Sequence, residues 1–136
     1  MEKRKLKILI AEDDMVSRRL IKKILSSYGE CDVAVNGNEA VQSFNIALKE
    51  ENPYDLVCLD IMMPELDGQH ALRKIREIEK SKGIKEGDGV NIIMVTALDD
   101  PKNVITAFKK HGAIGYIAKP ITKESLLGEI RTLGLI

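Results

Sequence analysis

Short apolar runs rich in branched side chains alternate with amphipathic stretches along the whole chain, and this alternation restricts the fold more than any other feature. The runs are Leu6 to Ala11, Asp32 to Val35, Leu56 to Leu59, Ile92 to Thr96 and Ile114 to Ala118, each bounded by acids, Gly or Pro. Their length and branching predict five strands. Most lack inside-outside alternation, which predicts parallel strands covered on both faces. Helical spacing fills the intervals. Val16, Leu20, Ile24 and Leu25 fall on one helical face, with Asp14 as the expected N-cap and Gly29 as the expected stop. Ala40, Val41, Phe44, Ala47 and Leu48 form a second stripe. Ala71, Leu72, Ile75 and Ile78 form a third, with Arg73, Lys74, Arg76 and Glu77 outward. Val104, Ile105 and Phe108 mark a fourth helix, and Leu126, Leu127, Ile130 and Leu133 a fifth. Each crossover must pack back onto the sheet, so the expected fold is a three-layer α/β domain.

The 136 residues suit one domain with a core that needs neither disulfide nor structural metal. At 44% hydrophobic and 31% charged, with no Trp, the composition excludes disordered and fibrous classes. Lys plus Arg and Asp plus Glu both number 21, so there is no basic field to hold a nucleic-acid backbone. Near the N-terminus the apolar run from Ile8 to Ala11 stops at Glu12-Asp13-Asp14, too short for a signal peptide or a membrane span. A cytoplasmic location is expected. Cys31 and Cys58 belong to no metal-binding spacing and read as small buried hydrophobes of a reducing compartment.

The polar residues are informative by position. Glu12 and Asp13 follow the first strand, Asp60 ends the third, Thr96 ends the fourth and Lys119 follows the fifth. Ligands of open parallel sheets bind outside the carboxyl ends of the strands. Were the strand order 2-1-3-4-5, Glu12, Asp13 and Asp60 would meet in the crevice between strands one and three. Three carboxylates cannot all stay ionised there unaided: one keeps a proton, or a hard cation such as Mg²⁺ sits among them. A blander role exists for each residue. Glu12-Asp13-Asp14 could be an acidic helix start, Asp60 an Asx turn and Thr96 a plain β-former. Lys119 could lie in solvent, although a cis bond to Pro120 would help aim it into the crevice. Tyr116, taken alone, reads as a core aromatic, and His70 and His111 as surface or boundary residues. The stretch from Ser81 to Gly89 reads as a solvated loop.

Five segments, in order and at strand ends, resemble the receiver domain of two-component response regulators: Ile8-Leu-Ile-Ala-Glu-Asp-Asp14, Asp55-Leu-Val-Cys-Leu-Asp60, Met63-Pro-Glu-Leu-Asp-Gly68, Met94-Val-Thr-Ala97 and Gly115-Tyr-Ile-Ala-Lys-Pro120. The resemblance implies a flavodoxin-like (βα)5 domain with strand order 2-1-3-4-5, formed by residues 1–136 as a single, stand-alone receiver without an output domain. It implies Mg²⁺-dependent transfer of a phosphoryl group from the phosphohistidine of a sensor histidine kinase or phosphotransfer protein onto Asp60. Thr96 and Lys119 would hold the phosphoryl oxygens. Asp13, Asp60 and the backbone carbonyl of Met62 would ligate the metal, with Glu12 acting directly or through water. Thr96 and Tyr116 would form the switch, and a downstream protein would dock on the face of the fourth helix, fifth strand and fifth helix.

Such a protein is a phosphoacceptor that catalyses its own phosphorylation and dephosphorylation rather than an enzyme with turnover. Met62 and Leu98 resemble positions that govern attack of water on the acyl phosphate, and both are apolar here, so slow dephosphorylation is expected. Ala97 is small and leaves the site accessible. Three alternatives carry different expectations: a receiver-like module that binds without phosphorylation, a receiver segment of a hybrid histidine kinase, and a phosphohydrolase of the haloacid dehalogenase kind. Met62 argues against the last, which characteristically has a second Asp two residues after its nucleophile.

Overall fold

The computed structural model describes residues 5–63, 66–96, 102, 112 and 115–136. Its elements are β1 (Leu6–Ala11), α1 (Met15–Leu25), β2 (Gly29–Ala34), α2 (Gly37–Lys49), β3 (Leu56–Asp60), α3 (Gly68–Ser81), β4 (Asn91–Thr96), β5 (Gly115–Ala118) and α4 (Lys123–Thr132). The last helix, α4, is the fifth helical stretch of the sequence. The stretch marked by Val104, Ile105 and Phe108 lies outside the described residues, as do Ala97, Leu98, His111 and Ile114. The five strands are all parallel and follow the expected order β2-β1-β3-β4-β5.

Alternate side chains of β1, β3 and β4 feed two separate cores, which makes the domain three-layered. Leu9, Val57, Leu59, Ile92 and Met94 face α2 and α3, packing with Ala40, Phe44, Ala71, Leu72 and Ile75. Ile8, Ile10, Cys58, Ile93, Val95 and Ile117 face α1 and α4, packing with Ile21, Leu25, Leu126, Leu127 and Ile130. Burial on both sides explains the nearly unbroken apolar runs. It is most complete in the central strand β3, where every residue from Leu56 to Asp60 is buried.

Each described helix opens on a side chain that accepts its N3 backbone N–H: Asp14 from Ser17, Asn36 from Glu39, Asp67 from His70 and Thr122 from Ser125. These caps satisfy donors that the first turn leaves free and let helices start within a few residues of the strand ends.

Three expectations need correction. In α1 the buried stripe is Ile21 and Leu25, with Ile24 partly buried, whereas Val16 and Leu20 are exposed. The apolar residues Met15, Val16, Leu20, Ile21, Ile24 and Leu25 span more than one face, and periodicity could not say which face meets the sheet. Gly29 does not stop α1, whose C-cap is Ser26. It is the first residue of β2, paired with Leu6 in β1, and a Cβ there would lie 2.2 Å from the Leu6 carbonyl oxygen. The second strand therefore begins three residues before the expected Asp32 and ends at Ala34. Its early half, Gly-Glu-Cys, looks unlike a buried strand because β2 is an edge strand with mostly exposed or half-exposed side chains, Cys31 among them.

At the amino end of β4 the fold is closed by an acid that the apolar pattern does not reveal. Glu79, near the end of α3, is 4% exposed, accepts the Val90 backbone N–H at 2.6 Å and pairs with Arg76 at 2.7 Å. Arg76 also donates to the Gly112 carbonyl at 2.7 Å. One carboxylate thus joins α3 to the loop before β4, and its partner reaches the approach to β5. Glu79→Ala leaves the partly buried Val90 N–H without its acceptor and the Arg76 guanidinium with the Gly112 carbonyl alone, and should lower stability by about 2 to 3 kcal/mol. Urea unfolding should show this as a lower midpoint with an unchanged slope.

Candidate functional site

The strand order brings the carboxyl ends of β1 and β3 side by side, with Ala11 paired to Leu59. The next residues along each strand carry acids. Glu12 and Asp60 are 1% and 3% exposed, Asp13 is exposed, and carboxylate oxygens from all three lie within 4.8 Å of one another. At an effective dielectric of about 20, two charges at that spacing repel by about 3 kcal/mol. Unrelieved, the cluster would cost a sizeable part of a domain's stability.

Two reliefs are visible. Lys119 directly follows β5, precedes Pro120 through a cis bond, and places Nζ 2.9 Å from Glu12 Oε1 and 3.3 Å from Asp60 Oδ2. Burial pulls its ammonium downward, but Glu12 and Asp60 outweigh that and hold its pKa above the ordinary lysine value. The second relief is a proton. Burial, reinforced by the neighbouring Asp60 and opposed by Lys119, pushes Glu12 up to about 8. Glu12 Oε1 is buried and accepts no directed hydrogen bond, its nearest cation among the described residues being Lys119. An all-oxygen donor set with one such atom fits a hard divalent cation, which would take the place of the proton.

Local structure fixes the acids. The Glu12 backbone N–H donates to Ala34 O at 3.0 Å, tying the end of β1 to the end of β2. Asp14 caps α1 by accepting from the Ser17 N–H and hydroxyl, which hold its carboxyl below the ordinary value. Arg18 reaches back from α1 to the carbonyls of Glu12 and Asp13. Beyond β3, the Met62 N–H donates to Asp60 Oδ1 at 3.2 Å, while the Met62 side chain is 68% exposed. Gly68 opens α3 directly against this turn: its N–H donates to Ile61 O, and a Cβ would lie 2.2 Å from Asp60 O. Only glycine lets the helix sit that close.

Thr96 is buried at the end of β4, paired with Ala118 of β5, and its carbonyl accepts the Lys119 N–H at 2.7 Å. Glu12, Asp13, Asp60 and Lys119 thus converge, and Thr96 ends the strand adjoining Asp60. Tyr116 is placed otherwise. It is 48% exposed on β5 rather than core-packed, and it lines a surface groove of about 360 Å³ with Ala118, Thr122, Ser125 and Glu129. His70 is exposed and pairs with Asp67. No helix among the described residues is long and apolar enough to cross a membrane. Arg18 has no periodicity or spacing signal in the sequence, and Gly68 stands out there only as the last residue of one of the five segments.

The proton on Glu12 has a measurable consequence. An unfolded glutamate loses its proton near 4.5, whereas in the folded chain Glu12 keeps it until about 8, so folding takes up a proton in between. Without divalent metal, the wild type should lose stability relative to Glu12→Gln as pH rises through this window, by on the order of 1 kcal/mol per pH unit. Parallel melts in chelator from pH 5 to 8 would show this as a gap that changes with pH.

The sequence pattern of the response regulator receiver domain matches residues 8–131. Chemotaxis protein CheY of Halobacterium salinarum is 37% identical over 124 residues, covering 90% of this chain and 92% of that one. The probable transcriptional regulator ycf27 of Cyanophora paradoxa is 39% identical over 134 residues, covering 98% of this chain and 50% of that protein. The chain spans about half the length of several such regulators. Among solved structures, the CheX-CheY-BeF3-Mg²⁺ complex of Borrelia burgdorferi contains a chain that is 27% identical, with a TM-score of 0.79, covering 95% of this chain and 89% of that one. With its parallel sheet in the order 2-1-3-4-5 and its acids and lysine gathered at the strand ends, this chain belongs to the response regulator receiver domain family of two-component signalling.

Proposed function

We propose that the chain accepts a phosphoryl group on Asp60 from the phosphohistidine of a sensor histidine kinase or phosphotransfer protein, and that the aspartyl phosphate switches the binding of a downstream protein. The observation that carries this reading is the gathering of Asp60 with Glu12, Asp13 and Lys119 at the carboxyl end of the central strand. Asp60 is the nucleophile. Its carboxylate oxygen forms a bond to phosphorus as the phosphorus–nitrogen bond breaks, and the electron pair leaves on the donor's imidazole. Lys119, already on Asp60 Oδ2, is placed to follow the charge onto a phosphoryl oxygen, and the Thr96 hydroxyl serves another. Mg²⁺ would be held by Asp13, Asp60, the Met62 carbonyl and Glu12, directly or through water, and would neutralise the negative charge facing an incoming phosphoryl group. The Borrelia burgdorferi structure, with BeF3 and Mg²⁺ in its complex, supports this assignment.

Phosphorylation would draw Thr96 and Lys119 toward new acceptor oxygens at the ends of β4 and β5. Tyr116, exposed beside the groove on β5 and α4, is the proposed partner in the switch. That groove would belong to the downstream docking face, together with the fourth helical stretch of the sequence.

Incubation with a small acyl phosphate and Mg²⁺ should add one phosphoryl group by intact mass, and neither Asp60→Ala nor the wild type in chelator should gain it. A gain retained by Asp60→Ala would overturn the assignment. The exposed thioether of Met62 can neither orient nor hold a water for attack on the phosphate. Combined replacement of Met62 by Asn and Leu98 by Glu should therefore shorten the aspartyl phosphate's half-life several-fold, followed by loss of the mass increment after donor removal.

A further inference from the structure

Asp13 differs from the other acids of the cluster. Glu12 and Asp60 are buried and held by side-chain contacts, whereas the Asp13 carboxylate is exposed and makes no hydrogen bond with the described residues. Its position depends on the backbone that carries it. That backbone is the turn between β1 and α1; Glu12 Oε2 accepts its Asp14 N–H at 3.3 Å, and Arg18 grips its carbonyls. Arg18 Nη1 donates to Glu12 O at 3.0 Å and to Asp13 O at 3.3 Å, while the Arg18 backbone N–H donates to Asp14 O at 2.9 Å. The guanidinium spans both peptide groups flanking the Asp13 Cα, and only with those planes fixed does the side chain start from a defined place.

The geometry points to Arg18 as the positioning residue of the metal site: it clamps the Glu12 and Asp13 carbonyls so that Asp13 is presented to a divalent cation. The inference rests on the acidic cluster being the Mg²⁺ site proposed above. Arg18 itself carries no ligand atom for a cation. Its effect is opposite in sign to its charge. A guanidinium beside a cation site repels the cation, so removing it should tighten binding if charge alone mattered. If the clamp matters, removing it loosens Asp13 and weakens binding. The neighbouring Arg19 is exposed on the same helix and grips neither carbonyl, so it separates the two effects.

The test is calorimetric titration of Mg²⁺ into the wild type, Arg18→Ala, Arg18→Lys, Arg19→Ala and Asp13→Asn, with melting of each in chelator. Arg18→Ala should weaken Mg²⁺ about 10-fold, the lower end for partners that orient metal ligands. Its melting temperature in chelator should stay close to that of the wild type. Arg18→Lys should recover part of the affinity, because an ammonium can also donate to a carbonyl but lacks the fixed plane that aims Nη1 at both. Arg19→Ala should bind as the wild type or slightly tighter. The rate of phosphoryl gain from an acyl phosphate should need more Mg²⁺ in Arg18→Ala and recover toward the wild-type rate when Mg²⁺ saturates.

Equal or tighter Mg²⁺ binding by Arg18→Ala, with Asp13→Asn impaired, overturns the clamp and leaves the metal site standing. A wild type that binds no Mg²⁺ overturns both. Should Arg18→Ala fail to fold, Arg18→Lys decides: weakened binding supports the clamp and wild-type affinity overturns it.

Discussion

Mutual repulsion among three carboxylates at the ends of two adjacent strands is the constraint on which the functional end of this domain is built. Glu12 and Asp60 are buried almost completely, so water cannot screen them, and Asp13 adds a third acid at the rim. The structure meets that repulsion with a lysine from the far side of the sheet, and burial beside Asp60 raises the Glu12 pKa so that its neutral form is favoured. Both reliefs are exchangeable. In the proposed chemistry a divalent cation would replace the proton and a phosphoryl group would take over the lysine, so the features that keep the resting site tolerable would also suit it to that role.

The rest of the fold holds that arrangement in place. Two cores, one on each face, keep β1, β3 and β4 from shifting register, and a register shift would carry Asp60 away from Glu12. Helix caps and the close seating of Gly68 on Asp60 O keep the loops at the carboxyl ends short. Elsewhere in the sheet, Glu79 and Arg76 tie α3 to the approaches of β4 and β5 with charged hydrogen bonds. A buried acid there has a fixed set of partners and a structural role. The buried acids at the carboxyl end share one lysine and have capacity to spare. Burial is common to both places, and the supply of donors separates them.

Much of the fold was legible because two-sided burial leaves a strong mark. The runs from Leu6, Leu56 and Ile92 could hardly be anything but covered strands, and the acids interrupting their ends stood out against them. Legibility failed where burial is one-sided or absent. The edge strand β2 begins at Gly29 with Glu30, which looks like a turn until Leu6 is seen beside it. In α1, apolar residues on more than one face hid the identity of the buried one, and Val16 and Leu20 proved to be exposed. Tyr116 reads as core by its chemistry, yet it is half exposed on β5, the last strand in the order of the sheet among the described residues. Arg18 was silent because its contacts run to backbone carbonyls, which have no residue identity to match.

By itself the sequence determined that the chain is a parallel α/β domain, and that Glu12, Asp13, Asp60, Thr96 and Lys119 stand at strand ends, because periodicity and punctuation are local properties. That the first and third strands lie side by side, and that the lysine after the fifth reaches across to both, is a matter of strand order and register, decided by contacts between residues tens of positions apart. The proton on Glu12, the grip of Arg18 and the exposure of Tyr116 belong to the same level. Each depends on what the folded chain places around a group, since desolvation and hydrogen-bond geometry arise only when the surroundings are assembled.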